Sequence, residues 1–447
     1  MPDSAGSFGL PAESRSGSLA AVDIHRENPM QTNYLLALFS GAVLLLGLVA
    51  FFLGRAKAAR VRAAGAAMYA QPDQYAWFAV VATAGPALLV SAVGAFLMLL
   101  LGAEIPTPYL LAASLLVAAA GLMVGMMQVR PDFHARQAIE RVIRWVLVAA
   151  AMISIFTTFG ILFSIVFEAL RFFQMHSFWE FITGTVWNPG DSFLASAGRG
   201  DESSGGATFG SVPLFAGTFM ITGIAMLVAI PVGLLSAIYM SEFAPTRVRT
   251  LAKPTLEVLA GIPTVVYGFF AAITVAPIIV NVAGFLGLDA SYNNAVAPGV
   301  VMGIMIIPFI SSLSDDVINS VPDSMRQGSL ALGMTKGETI RDVVIPAALP
   351  GIISASLLAV SRALGETMIV VMAAGMRPNL TANPLEDMTT VTVRIVAALT
   401  GDLEFESAET LSAFALGLVL FAVTLSLNLV SVIMIRRFRD KYRVNNL

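Results

Sequence analysis

Nine stretches of this chain are too long and too apolar to be hidden in a soluble core. They run approximately over Tyr34–Gly54, Tyr75–Leu101, Pro108–Gln128, Trp145–Phe167, Pro213–Met240, Leu259–Ala283, Ala295–Leu313, Gly351–Ala374 and Leu411–Ile435. About twenty apolar residues is what an α-helix needs to cross ~30 Å of hydrocarbon. The strands of a membrane barrel would alternate polar and apolar residues over about ten positions, and these runs do not alternate. In lipid the backbone must satisfy itself, so they are expected to be helices. The fold class expected is therefore an all-α polytopic membrane protein with about nine transmembrane helices. With 57% apolar and 12% charged residues, the usual soluble enzyme folds are excluded. The absence of cysteine removes disulfides and thiolate metal sites, and three scattered histidines (His25, His134, His176) suggest no metal centre.

Basic residues orient the bundle. With the amino terminus outside, the inner segments carry Arg55, Lys57, Arg60 and Arg62; Arg130, Arg136, Arg141 and Arg144; Arg247, Arg249 and Lys253; Arg326, Lys336 and Arg341; and Arg436, Arg437, Arg439, Lys441 and Arg443. The outer segments hold only Arg15, Arg26, Arg171, Arg199, Arg377 and Arg394. This asymmetry predicts an external amino terminus and a cytoplasmic carboxyl terminus. Nothing in the pattern calls for nucleic acid.

Composition divides the chain. Residues 1–33 are polar and lack a basic signal-like start, which predicts a disordered external tail. Residues 34–129 contain three spans with no ionisable residue, a packing or assembly module. The segment 130–144 sets Phe133, Ile139, Val142 and Ile143 among basic residues, as in an amphipathic helix lying on the inner membrane surface. Residues 145–440 hold the remaining six spans. Their external loop, Glu168–Val212, carries Phe172, Phe173, Phe178, Trp179 and Trp187, expected as a membrane-interface belt, and a Gly/Ser-rich insert, Ser196–Gly210. Pro231, Pro263, Pro277 and Pro308 punctuate the spans, as in helices that line pathways.

The inner segment 320–350 is the most informative. Gln327-Gly328-Ser329-Leu330-Ala331-Leu332-Gly333 is followed by nine residues and then Val343-Val344-Ile345-Pro346. This predicts a short helix, a break near Gly333, and a second helix from about Lys336 that ends before Pro346. Its apolar surface faces the cytoplasm, where such a patch usually marks a partner. The spacing resembles the EAA loop of binding-protein-dependent ABC importers: E-A-A, three residues, G, nine residues, I-x-L-P. Gly333 and Pro346 match, whereas Gln327, Gly328 and Ser329 replace the opening triplet. The resemblance implies a type I ABC permease core of six helices preceded by three extra ones. It also implies a loop, including Gln327, Gly328, Ser329, Gly333, Ile345 and Pro346, that docks on an ATP-hydrolysing subunit.

Arg362 and Glu366 fall within the eighth span. Spaced i, i+4, they are expected on one helix face, with Arg362 about 16 Å along the helix from Gly351 and so near mid-bilayer. An arginine there costs roughly 2.5–3.5 kcal/mol on insertion scales. Two readings remain open: a structural ion pair, or an anion step in which the guanidinium grips two phosphate oxygens and Glu366 holds Arg362 while the path is empty.

Glu242-Phe243-Ala244-Pro245, Gly261-Ile262-Pro263-Thr264-Val265-Val266-Tyr267-Gly268 and Arg362-Ala363-Leu364-Gly365-Glu366-Thr367 together resemble the membrane subunits of the phosphate-specific importer. The resemblance covers about residues 130–443. Phe167-Glu168-Ala169-Leu170 and Phe181-Ile182-Thr183-Gly184-Thr185-Val186-Trp187 favour the PstC type over its PstA partner. What the resemblance implies is half of a phosphate pathway across the cytoplasmic (inner) membrane, with Arg362 and Glu366 on it. The implied partners are a PstA-type permease subunit, a PstB-type ATPase dimer and an extracytoplasmic phosphate-binding protein. No G-x-x-x-x-G-K-[ST] loop occurs, so ATP would be used by the partner, with no cofactor bound by this chain. Sulfate, molybdate or tungstate are the alternative cargoes. An ion-coupled secondary transporter is less favoured, because Glu366 is the one acid deep in a span.

Overall fold

The computed structural model describes residues 29–65, 67–101, 106–189, 208–401 and 407–443. The expected polar tail over 1–28 and the insert over 196–207 lie outside these residues. Among the described residues, nine helices are long and apolar enough to cross a membrane, and the only sheet is a two-residue antiparallel pair. Large apolar side chains such as Leu44, Phe52, Phe163 and Leu227 are exposed along these helices, the surface that lipid rather than water would cover.

The chain divides into two compact units, residues 1–157 and 158–447. In the first, α1 (Pro29–Ala63), α2 (Pro72–Leu101) and α3 (Thr107–Met127) pack together. α1 begins at Pro29, so residues 29–33 are helical and not part of a tail. The Tyr75 hydroxyl donates to the Phe133 and Arg130 carbonyls at 2.7 and 3.2 Å, tying α2 to the segment after α3.

α4 (Ala135–Met175) is a single 41-residue helix. This corrects the expectation of a separate surface helix over 130–144. No glycine or proline occurs between Ala135 and Phe159 to end the helix, and nothing else in that stretch halts the i→i−4 ladder. From Ala135 onward the basic segment is the first part of the same helix that carries the fourth apolar run, and the whole extends about 60 Å at 1.5 Å per residue.

In the second unit part of the expected aromatic belt is instead a buried cluster, in which Phe172, Phe181, Trp187 and Phe209 meet edge to face. Of the five expected belt residues, Phe178 and Trp179 remain exposed, at 44% and 72%. After α5 (Phe178–Thr183), strands β1 (Trp187–Asn188) and β2 (Thr208–Phe209) pair antiparallel and close this cap.

The centre is α6 (Val212–Ile238) against α10 (Val296–Asn319). Between them run α7 (Thr246–Ala260), α8 (Thr264–Phe270) and α9 (Ala276–Phe285). Close approach of α6 and α10 depends on Gly303, where a Cβ would sit 2.8 Å from the Ala225 carbonyl oxygen. The expected sixth span is preceded by α7, an amphipathic helix without a buried residue, and Gly261-Ile262-Pro263 separates the two. Then come α11 (Asp323–Ala331), α12 (Lys336–Thr339), α13 (Ile345–Leu364), α14 (Met368–Ala373), α15 (Val391–Gly401) and α16 (Ala408–Arg443). Among the described residues, three π-helical turns interrupt the ladder, at Tyr239–Phe243, Ala271–Val275 and Ile340–Val344.

Candidate functional site

The expected eighth span is two helices. α13 stops at Leu364, capped at Gly365, and α14 starts at Met368. Arg362 and Glu366 therefore do not share a helix face, and no ion pair joins them. Gly365 caps α13 with an ordinary right-handed backbone, φ −91° and ψ −2°, its N–H donating to the Ala363 carbonyl. Each charge is met instead by a helix end. Arg362 lies in the last turn of α13, where a cation complements the dipole. The Glu366 carboxylate accepts from the Met368 and Ile369 backbone N–H groups at 3.1 and 3.5 Å, as an acid does at the start of a helix. The structural ion-pair reading of these two residues is thereby removed, and so is the expected hold of Glu366 on Arg362 in an empty pathway.

The exposed Arg362 guanidinium lies 5.7 Å from the centre of the Phe309 ring, a cation–π arrangement. It opens onto a cavity of about 290 Å³ whose polar lining also includes Lys253, Glu257, Ser312 and Asp315. Asp315, its side chain 3% exposed, is held by Arg249 at 3.3 Å and Lys253 at 3.5 Å, and accepts from Asn319 Nδ2 at 3.0 Å. Glu366 faces a different, narrow crevice whose lining includes Thr218, Thr222, Thr390 and Thr392. The Thr392 hydroxyl donates to the Glu366 carbonyl at 3.0 Å. So Arg362 and Glu366 are adjacent in sequence but address different spaces.

The inner loop forms the expected helix–turn–helix over α11 and α12. Gly333 has φ +86°, a left-handed conformation that costs a non-glycine residue about 1–2 kcal/mol. Thr335 opens α12 with a capping box: its hydroxyl accepts from the Glu338 N–H, and the Glu338 carboxylate accepts from the Thr335 N–H at 2.8 Å. The Ser329 hydroxyl donates to the Arg326 carbonyl at 3.0 Å and is hydrogen-bonded to the Thr339 hydroxyl at 2.8 Å, joining α11 to α12. Gln327 and Gly328 are exposed, as are Leu330 and Leu332, the latter by 86%.

The second helix does not end before Pro346. It passes through the π turn Ile340–Val344 into α13, with Ile345 N–H donating to the Ile340 carbonyl. The wide turn shifts the hydrogen-bond register so that Pro346, which has no N–H, falls at the first turn of the following helix, where it is tolerated.

Arg326 anchors this loop. It pairs with Glu242 at 3.1 Å and with Asp323 at 3.1 Å, and donates to the Ile318 carbonyl at 2.7 Å. Lys336 donates to the Glu242 carbonyl and lies 5.2 Å from the Phe243 ring centre. The ionic anchor is thus one residue before the departed EAA triplet, and Glu242 supplies its acid.

Residues 229–444 match the model of a family described as a binding-protein-dependent transport system inner membrane component. A probable ABC transporter permease protein, YqgH of Bacillus subtilis, is 33% identical over 63% of this chain and 86% of its own length. A phosphate transport system permease protein, PstC 1 of Mycobacterium tuberculosis, is 33% identical over 66% of this chain and 92% of its own length. The chain belongs to the binding-protein-dependent ABC permease family. Its PstC-named relatives also include one from Mesorhizobium japonicum, at 31% identity over 65% of this chain and 85% of its own. A solved chain of a bacterial alginate ABC transporter is similar over 67% of the permease and 96% of its own length, at 17% identity and a TM-score of 0.45.

Residues 41–102 of the permease match a second model, described as a phosphate ATP-binding cassette transporter. This corrects the expectation that the resemblance begins near residue 130. The first spans lack charged residues, so they carry no short motif by which to recognise them.

Arg249, Lys253 and Asp315 were legible only as inner basic residues and inner-edge acids. Their meeting requires α7 to fold onto α10, across more than sixty residues. The amphipathic pattern of α7, with Arg249, Lys253 and Glu257 among Val248, Leu251 and Val258, is the signal that could have found them.

Proposed function

We propose that this permease subunit forms half of an ATP-driven import pathway for inorganic phosphate, with Arg362 as its anion station. The observation that carries this is the Arg362 guanidinium, unpaired by Glu366 and open to a cavity within the helical bundle. A planar guanidinium offers paired donors matched to two oxygens of a phosphate. The naming of several relatives for phosphate transport supports the cargo. Glu366 acts by holding the start of α14 and so the position at which Arg362 is presented.

A PstA-type subunit completes the pathway, an extracytoplasmic phosphate-binding protein delivers cargo, and a PstB-type ATPase dimer hydrolyses ATP. The ATPase receives Leu330, Leu332 and the exposed face of Gln327 and Gly328, with Gly333, Ile345 and Pro346 shaping the loop. The amino terminus lies outside and the carboxyl terminus in the cytoplasm, a reading that the distribution of basic residues supports.

The test is phosphate uptake by the assembled importer. Arg362→Ala is expected to lower uptake about 10–100-fold, the worth of a charge-assisted hydrogen bond, and Glu366→Gln to lower it less. Wild-type rates in both variants would refute the proposal. Uptake of sulfate or molybdate in preference to phosphate would replace the cargo.

A further inference from the structure

We infer that Lys253, with Asp315 as its counter-ion, is a second anion station on the cytoplasmic side of Arg362, from which cargo is released. This deepens the phosphate reading and rests on it. Met305, Pro308, Phe309, Ser312 and Asp315 all line the cavity that Arg362 enters. At i, i+3, i+4, i+7 and i+10 they form one face of α10, so the cavity follows that helix for about 15 Å. Asp315 lies one turn from the inner end of α10, four residues before Asn319. Lys253 reaches it from α7 at 3.5 Å and is itself part of the lining.

The charges along the cavity have a direction. Arg362 stands beside Phe309, and among the described residues it has no carboxylate partner. Lys253 stands beside a buried carboxylate that Arg249 and Asn319 also hold, and Glu257 adds a second acid to the same lining. A pathway must bind its ion well enough to admit it and weakly enough, over several sites, to let it go. Phosphate leaving Arg362 meets a cation at Lys253, but there it competes with Asp315 and is repelled by Glu257. The ammonium of Lys253 suits this role: it is a mobile point charge that can turn from Asp315 to the anion and back. Arg249 remains on Asp315 meanwhile, so the buried carboxylate is not left bare.

The absence of cysteine from the chain allows a direct test. The complete importer, with cysteine-free partner subunits, carries Lys253→Cys and is treated with methanethiosulfonates before reconstitution into proteoliposomes. Uptake should fall about tenfold, the loss of one charge-assisted contact. The aminoethyl reagent, which restores an ammonium, should recover uptake, and the sulfonatoethyl reagent should not. Inorganic phosphate should slow modification of Lys253→Cys severalfold but leave Thr250→Cys, exposed on the same helix, unaffected. Equal recovery with both reagents, wild-type uptake without either, or modification indifferent to phosphate would overturn the assignment. Glu257→Gln provides a second measurement that spares Lys253: it should lower severalfold the lumenal phosphate concentration that half-inhibits uptake, and no shift would count against the station. An unsubstituted importer that takes up no phosphate would overturn the cargo reading itself, and is distinguished because every variant is compared with it.

Discussion

Arg362 is tolerated without a carboxylate because the chain breaks beside it. Gly365 ends α13, the carbonyl end of the helix complements the guanidinium, and the first N–H groups of α14 complement Glu366. A charge balanced by a helix end keeps its hydrogen-bonding capacity for cargo, which a charge locked in a salt bridge does not. Shape then matters as much as sign. Arg362→Lys keeps the positive charge and the dipole complement but loses the fork, so uptake should fall about tenfold with protein levels unchanged. Full uptake in Arg362→Lys, measured with labelled phosphate, would show that two-oxygen recognition is not used. The arginine was legible from the cost of placing it in lipid. Its separation from Glu366 was not, because an i, i+4 spacing assumes one continuous helix and α13 stops at Leu364.

Among elements, one of the ties between the inner loop and the bundle is a π turn. Arg326 and Lys336 both reach Glu242 in Tyr239–Phe243, and Met240 in that same turn lines the Arg362 cavity. Contacts therefore run without a gap from the exposed Leu332 surface to the cavity wall. A double-mutant cycle tests whether they carry coupling. Arg326→Met and Glu242→Gln should each reduce the uptake obtained per ATP hydrolysed, and the double variant should be little worse than the more severe single one, because both remove the same bond. Additive losses would show that the two residues act separately. Motif spacing exposed the loop but not this anchor, since Glu242 and Arg326 lie 84 residues apart.

For the whole molecule, span number was readable because apolar length is a local property. Connections were harder. The continuity of α4 through its basic start, and the short helix α15 between the last two apolar runs, depend on packing or on the absence of breakers and leave little trace in composition. The membrane module over the first spans carried no motif, yet it shares a family model with phosphate ABC transporters. A permease with an exposed Leu332 and no nucleotide loop of its own should not transport alone. Purified in mild detergent, it should retain an ATPase and a second permease subunit, and vesicles containing this chain alone should take up no phosphate under an imposed ion gradient. Gradient-driven uptake by the isolated chain would make it a secondary carrier.

The three π turns give the bundle something that straight helices lack. Each stores one surplus residue in a loop of backbone that remains hydrogen-bonded. Were one to tighten into ordinary α geometry, every residue beyond it would swing by about 100° around the axis and move by about 1.5 Å along it. Two of these turns adjoin the segment that an ATPase would pull. A small tug there could re-aim a whole row of side chains without melting a single helix.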